Sequence, residues 1–180
     1  MRLIAVRFGN VLASNGSVVP KFKAQIEAGG PVTVTHPDMM RYFMTIREAC
    51  DLVVTAASHA VESRQRDVSL YVLNMGQPIK ILDLATNMIK LSGLEPGRDL
   101  EIVFSGVRPG ERLGEILFAR NEPIVDVGIA GIVAATPACP AIGTMKAWSE
   151  ALAQALAHEQ RDAIYRVLRE AVPDFRWEAA

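Results

Sequence analysis

Side chains that can bind an anion occur at three turns of this sequence. Asn10 follows an apolar stretch, and Ser17 stands at the expected N-cap position before a helical pattern. Arg41 follows a turn, while Arg108 and Glu111 flank Pro-Gly. Two guanidinium groups can grip and neutralise one pyrophosphate, a carboxylate can accept hydrogen bonds from a diol, and a helix N-terminus favours anions. The competing interpretation is a capped connecting loop with solvated surface charges, and spacing alone favours it.

The usual catalytic motifs are missing from the sequence. There is no Walker loop, no G-x-S-x-G, no H-E-x-x-H and no Tyr-x-x-x-Lys. The fragment Gly128-x-x-Gly131-x-x-Ala134 resembles part of a dinucleotide loop, but prolines follow where a helix should begin. Cys50 and Cys139 form no CxxC pair, and no histidine cluster has metal-ligand spacing. We therefore assign no catalytic residue and no metal site.

The elements that would position these groups alternate between strand and helix. Residues 3–8 and 70–74 have the nearly continuous apolar character of buried parallel strands, and we expect them to lie side by side. Helices are predicted from Ser17, over 46–61, 81–91 and about 113–118, and finally over 145–158 and 162–172. For the second helix we expect the core face to be Ala49, Cys50, Val53, Val54, Ala57 and Val61.

This order predicts an α/β fold. It comprises a parallel sheet, a smaller α/β lobe and C-terminal helices. We place the sheet and lobe in residues 1–120, an irregular connector in 121–143 and the C-terminal helices in 144–180.

Composition limits the partners and the compartment. The chain has 180 residues, is 50% hydrophobic and carries a formal net charge of -1. This balance gives no electrostatic reason to expect nucleic acid or membrane contact. No apolar run reaches the roughly 20 residues that span a bilayer. A chain with only two cysteines and no CxxC pair suits a reducing cytoplasm.

Five sequence motifs in fixed order turn these separate features into a resemblance. They are residues 6–12, 14–20, 29–39, 41–45 and 108–113. The chain resembles the C-terminal part of bacterial polysaccharide-biosynthesis nucleotide-sugar dehydratases. These are UDP-N-acetylglucosamine 4,6-dehydratase-like members of the extended short-chain dehydrogenase/reductase superfamily. The likeness covers residues 2 to about 118 closely. It implies that the strands are the last ones of a Rossmann-like parallel sheet and that the small α/β lobe is substrate-binding.

The resemblance implies a role for each candidate residue. Asn10 would contact the sugar nucleotide near its phosphates, and Val18, Val19, Pro20 and Lys21 would border the base. Arg41 and Arg108 would hold the pyrophosphate, and Glu111 would bond the ribose. Two positions depart from the family pattern: Ala13 replaces the usual glycine, and Met40 replaces the usual threonine. Ala13 is tolerable unless its position needs a positive backbone torsion.

The family pattern also includes a part that this sequence lacks. Complete enzymes bind NAD(P) through an N-terminal glycine-rich loop and use a Tyr/Lys pair for 4,6-dehydration or epimerisation. We expect these 180 residues to bind a UDP-sugar, to hold no NAD(P) by themselves and to be inactive alone. The alternative is a non-catalytic remnant that acts as an interaction module. A missing N-terminal half and a homo-oligomer both stay open as partners, as do N-terminal membrane helices in the parent protein.

Overall fold

The computed structural model describes residues 3–14, 16–63, 70–118, 122–137, 139–172 and 175. The strands are β1 (Ala5–Arg7), β2 (Asn10–Val11), β3 (Val32–Val34), β4 (Met40–Arg41), β5 (Phe43–Met44), β6 (Leu70–Leu73), β7 (Ile79–Lys80), β8 (Ile102–Phe104), β9 (Ile124–Ile129) and β10 (Ile132–Ala135). The helices are α1 (Val18–Glu27), α2 (Ile46–Glu62), α3 (Ile81–Leu91), α4 (Ile142–Ala157) and α5 (Arg161–Ala171).

Two compact units form. Unit 1 comprises Met1–Val107 and Arg112–Pro137, and unit 2 comprises Arg108–Glu111 and Ala138–Ala180. The predicted α/β class is confirmed.

A four-stranded sheet of order β1-β6-β10-β9 organises unit 1. The expected parallel neighbours, β1 and β6, pair with Val6 opposite Tyr71. β10 then pairs antiparallel with both β6 and β9. Because β6 is an inner strand of this sheet, between β1 and β10, its residues Tyr71 and Val72 are both fully buried.

Helix α2 covers one face of this sheet, but through a different side from the one we predicted. Leu52, Ala56 and Ala60 pack on the sheet with Tyr71. The predicted core residues Val53, Val54 and Val61 are instead exposed. The apolar residues of α2 extend over two sides of the helix, so periodicity alone could not tell which side meets the sheet. The small alanines allow the close approach.

The smaller lobe has its own core. The parallel pair β3–β8 lies with α1 and α3 around buried Phe22, Val32, Ile89 and Leu100. The short pairs β2–β5 and β4–β7 complete this part of the chain. The lobe therefore supplies β2, β4 and β5, on which two of the candidate residues lie.

Two segments differ from the sequence-based expectation. Residues 121–143, predicted as an irregular connector, include the hairpin β9–β10, which belongs to unit 1. Glycines near its turn obscured the strand pattern. The short helix predicted over 113–118 is absent: these residues follow an irregular path. Their backbone is held instead by contacts to β4, such as the Met40 N–H donating to the Leu113 carbonyl at 2.7 Å.

Unit 2 contains the two predicted C-terminal helices as a helical pair. The Trp148 indole on α4 donates to a Glu170 carboxylate oxygen on α5 at 3.0 Å. Across the part of the chain that the structure describes, no helix combines the length and apolar character that a bilayer span requires.

Candidate functional site

A cleft of about 370 Å³ opens where β1 ends, and we call it the arginine cleft. It is lined by Arg7, Phe8, Gly9, Arg41, Arg112, Gly114, Glu115, Ile116 and Leu117. Three guanidinium-bearing residues thus surround one opening in unit 1. What each arginine can offer a ligand depends on its protein contacts.

Gly9 allows the end of β1 to approach the lobe. A Cβ atom at this position would lie 2.7 Å from the Tyr42 Cβ and 2.8 Å from the Tyr42 carbonyl oxygen. Both distances are too short for any side chain, and the second atom is backbone that cannot rotate away. Only glycine therefore brings β1 and the β4–β5 segment together at the cleft.

Arg7 is already paired within the protein. Its Nη1 and Nη2 atoms donate to the two Glu122 carboxylate oxygens at 2.7 and 3.0 Å. Nη1 also donates to the Leu117 carbonyl at 2.7 Å. The Glu122 side chain is only 7% exposed. This fork-shaped pair neutralises Arg7 and ties β1 to the segment before β9.

Glu115 is the acceptor on which the predicted residues Asn10 and Arg41 meet. Its Oε1 atom accepts from Asn10 Nδ2 at 2.9 Å and lies 3.7 Å from Arg41 Nε. Its Oε2 atom accepts from the Tyr42 backbone N–H at 3.2 Å. Arg41 Nη1 also donates to the Met40 and Leu113 carbonyls. The guanidinium of Arg41 is therefore held in place, and its side chain is 18% exposed.

Arg112 differs from the other two arginines of the cleft. It is exposed and, among the residues the structure describes, has no acidic partner. With Arg7 balanced by Glu122 and Arg41 by Glu115, Arg112 leaves the cleft with one uncompensated positive charge. Such a group is available to an incoming anion.

The predicted base-bordering residues lie in the first turn of α1. Val18 and Val19 are half-buried, and Pro20 and Lys21 are exposed. Ser17 occupies the expected N-cap position, but its side chain caps nothing. Its hydroxyl oxygen is buried and, within the described part of the chain, has no hydrogen-bond partner. The predicted capping bond is therefore absent.

Arg108 and Glu111 form the predicted turn and belong to unit 2. The Arg108 N–H donates to the Glu111 carboxylate at 3.3 Å, and the Glu111 N–H donates to the Arg108 carbonyl at 2.9 Å. Since Asn10 and Arg41 belong to unit 1, the expected grip of Arg41 and Arg108 on one pyrophosphate stays a prediction.

Ala13 adopts the conformation that the family's usual glycine would favour. Its φ angle is +58°, in the left-handed region that costs an L-residue with a side chain roughly 1–2 kcal/mol. The departure noted in the sequence therefore falls where a positive torsion is required.

A second opening of about 560 Å³, the apolar cleft, shares Glu115, Ile116 and Leu117 with the arginine cleft. It is lined by Tyr42, Leu73, Asn74, Met75, Gly76, Glu115, Ile116, Leu117, Phe118, Ile124 and Val133. The strand ends of β1 and β6 thus open onto adjoining cationic and mostly apolar surfaces, as ligand sites in α/β sheets commonly do.

The Gly128–Ala134 fragment does not form a dinucleotide loop. Gly128 lies in β9, Gly131 in the hairpin turn and Ala134 in β10, so no helix N-terminus follows to receive a phosphate. Residues 128–134 therefore do not fit NAD(P). The described residues also include no group of three or more side chains suited to holding a metal ion.

Four residues of the cleft and its supports were not among those predicted from the sequence: Glu115, Glu122, Arg7 and Arg112. Arg112 follows the Arg-Pro-Gly-Glu turn directly and Glu115 comes three residues later, and this proximity was the available signal. The pairing of Arg7 with Glu122 joins residues 115 positions apart, for which a single sequence carries no signal.

Residues 1–137 match the family described as "Polysaccharide biosynthesis protein", and the chain belongs to that family. It is 58% identical over 119 residues to the capsular polysaccharide biosynthesis protein CapD of Staphylococcus aureus, covering 66% of this chain and 19% of CapD. It is 36% identical over 120 residues to the UDP-glucose 4-epimerase of Rickettsia akari, covering 67% of this chain and 32% of that protein.

Among solved structures, Pen from Bacillus thuringiensis superimposes with a TM-score of 0.62 at 29% identity, covering 77% of this chain and 41% of Pen. The matched region thus spans about a fifth of CapD and less than half of Pen.

Proposed function

We propose that this chain is the nucleotide-sugar-binding portion of a polysaccharide-biosynthesis enzyme and that its ligand is a UDP-N-acetylhexosamine. The observation that carries the proposal is the arginine cleft, where Arg112 is uncompensated beside the ordered Arg41. A pyrophosphate needs such a cationic, hydrogen-bonding surface.

The adjoining apolar cleft supports the same ligand class. A nucleotide-sugar carries its phosphates next to a sugar whose ring faces and N-acetyl methyl group are apolar. The wall formed by Glu115, Ile116 and Leu117 borders both openings. A ligand with an anionic part and a partly apolar part, joined over this short distance, therefore suits the two clefts together.

The reaction of the complete enzyme is proposed as 4,6-dehydration or epimerisation. The motif resemblance favours the first, and the name of the Rickettsia relative, UDP-glucose 4-epimerase, favours the second. Both reactions draw on NAD(P) for hydride transfer. Because the sequence contains neither a glycine-rich loop before a helix nor a Tyr-x-x-x-Lys pair, we expect these residues to bind the sugar without converting it.

Isothermal titration calorimetry with UDP-N-acetylglucosamine tests the proposal. We expect one-to-one binding that weakens with added salt, because exposed charges are screened. Arg112→Ala should weaken binding about tenfold, or ~1.4 kcal/mol. Arg98→Ala removes an exposed arginine of unit 1 that lies outside the cleft, so it should bind like the unmodified chain. A folded sample that binds nothing would refute the proposal.

Two further variants separate the roles implied by the resemblance. Arg108→Ala should also weaken binding if the turn in unit 2 contacts the pyrophosphate. Arg41→Ala should weaken it too, but it also removes the contacts to the Met40 and Leu113 carbonyls. Its circular dichroism spectrum must therefore be compared with that of the unmodified chain.

A second candidate function, an interaction module, is favoured by α2. Ile46, Cys50, Val53, Val54, Ala57 and Val61, the outer α2 face, are all exposed and lie within roughly 100° of the helix circumference. Val54 and Val61 are 68% and 86% exposed. A helix that is apolar on two sides is typical of one buried on both.

The occupant we propose for the outer α2 face is the same face of a second copy, packed antiparallel. This arrangement sets Ile46 opposite Val61 and Cys50 opposite Ala57, so large and small residues alternate along the seam. It also brings Arg47 at one end of the helix near Glu62 of the other copy. The apolar stripe and the terminal charges are thus self-complementary.

Cross-linking tests this pairing in a Cys139→Ser background. Ala57→Cys should give a covalent dimer with a short bis-maleimide, through the native Cys50 of the other copy. The same variant with Cys50→Ser should not. A monomer by light scattering, or dimers that persist without Cys50, would refute antiparallel pairing.

A further inference from the structure

The arginine cleft contains one carboxylate where an anion-binding site would be expected to have none. Glu115 lines the cleft, and its side chain is 30% exposed. Placed beside Arg41 and near Arg112, a negative charge should by itself weaken the binding of any anionic ligand. We therefore expect Glu115 to make contacts that offset this unfavourable charge.

The contacts of Glu115 define its role. One oxygen accepts from the Asn10 amide and lies near the Arg41 guanidinium, and the other accepts from the Tyr42 N–H. The Asn10 Nδ2 group also donates to the Tyr42 carbonyl at 3.2 Å, so both of its hydrogens are directed to fixed acceptors. One carboxylate thus orients the two predicted ligand-binding side chains of unit 1.

The backbone around Glu115 strengthens the same connection. The Leu113 carbonyl accepts from the Met40 N–H and from Arg41 Nη1 at 3.1 Å. Residues 113–115 have no helical hydrogen bonds of their own, so these contacts to β4 and to the neighbouring Tyr42 fix their path. Losing Glu115 would remove one acidic partner of Arg41 and the acceptor of the Tyr42 N–H.

We propose that Glu115 is a positioning residue for the nucleotide-sugar site: it fixes Asn10 and Arg41 in the orientation that a UDP-sugar requires. This inference rests on the proposed function. Orientation and simple charge make opposite predictions when the carboxylate is removed. Charge alone predicts tighter anion binding, whereas positioning predicts weaker binding of the sugar nucleotide.

Two ligands and three variants separate these effects. UDP-N-acetylglucosamine depends on the arrangement of several groups, whereas inorganic pyrophosphate responds mainly to local charge. Glu115→Ala removes the charge and both acceptors. Glu115→Gln removes the charge but keeps one acceptor oxygen. Glu101→Gln removes an exposed carboxylate outside both clefts and serves as the control.

Calorimetry should show that Glu115→Ala binds UDP-N-acetylglucosamine at least tenfold more weakly, with Glu115→Gln between it and the unmodified chain. Pyrophosphate affinity should be unchanged or higher in both variants. Undiminished sugar-nucleotide binding in Glu115→Ala would overturn the proposal. An equal fall for both ligands would also overturn it, because Glu115 would then support the fold rather than orient the site.

Amide hydrogen exchange distinguishes failure of this inference from failure of the proposed function. If the unmodified chain binds no sugar nucleotide, the proposed function fails. The positioning contact is then tested alone: the Tyr42 amide should exchange at least tenfold faster in Glu115→Ala than in Glu101→Gln. Unchanged exchange at Tyr42 would show that Glu115 does not hold this segment.

Discussion

Replacing Arg7 by methionine should destabilise unit 1 by about 2–3 kcal/mol. The magnitude follows from the position of the Arg7–Glu122 pair between two limits. Breaking a fully buried pair costs about 3–5 kcal/mol, and exposed pairs contribute about 1 kcal/mol or less. Here the Glu122 side chain is 7% exposed and the Arg7 side chain 35%. The substitution therefore leaves a nearly buried carboxylate without its guanidinium.

A double-mutant cycle isolates the pair. Glu122→Leu should also destabilise unit 1, and the double variant Arg7→Met/Glu122→Leu should cost at least 1 kcal/mol less than the sum, because neither charge is then left behind. About 1 kcal/mol of the cost of losing Arg7 should persist, since the Leu117 carbonyl loses its donor in both Arg7 variants.

Urea unfolding followed by far-ultraviolet circular dichroism at pH 7 measures these differences. Additive single substitutions, or an Arg7→Met change below 0.5 kcal/mol, would contradict a structural pair. Arg7 would then count as an available cation, and the charge balance assigned to the arginine cleft would be wrong.

Three further substitutions test local features by the same unfolding measurement. Ala13→Gly should stabilise unit 1 by about 0.5–1 kcal/mol, because relief of the positive φ exceeds the entropy that glycine adds to the unfolded chain; a loss of stability would contradict this. Thr45→Ala should cost about 1 kcal/mol by removing the N-cap of α2. The Thr45 backbone N–H, and then its hydroxyl, lower the pKa of Glu48. The stability that the ionised Glu48 carboxylate adds is therefore complete above the ordinary glutamate pKa of about 4.3 and is lost as pH falls through the lowered pKa; an unfolding free energy that does not fall over this acid range would count against it. Leu52→Ala should cost about 2–4 kcal/mol and Val54→Ala under 0.5 kcal/mol in the monomer, and similar losses would mean that the faces of α2 are misassigned.

The strands and helices with strong periodicity could be predicted from sequence. β1 and β6 lie within the mostly apolar stretches 3–8 and 70–74, and they pair in parallel as expected. The two final helices also form. In these segments the hydrophobic pattern of the sequence agrees with the burial in the fold, so the pattern alone predicts the element.

The orientation of α2 and the hairpin β9–β10 could not be predicted with the same success. In α2 two sides are apolar, and the choice between them depends on how closely alanines approach the sheet. In the hairpin, Gly128 and Gly131 interrupt a pattern that only pairing with β6 makes regular. Both outcomes depend on contacts between distant parts of the chain.

Residues of the candidate site could be predicted from the sequence, but the side chains that bind and orient them could not. Asn10 and Arg41 do come together, through an acceptor that the sequence analysis did not single out. Glu115 became visible only when the fold brought β2, β4 and residues 113–115 into contact. The participation of Arg108 and Glu111 in the same site stays a prediction.

The most direct test of the central claim is a calorimetric titration of the folded chain with UDP-N-acetylglucosamine, repeated with Arg112→Ala and Arg98→Ala. Binding by the arginine cleft predicts saturable one-to-one heat that falls about tenfold in affinity with the first variant and is unchanged with the second. The absence of binding, or equal affinity in all three proteins, would contradict the account.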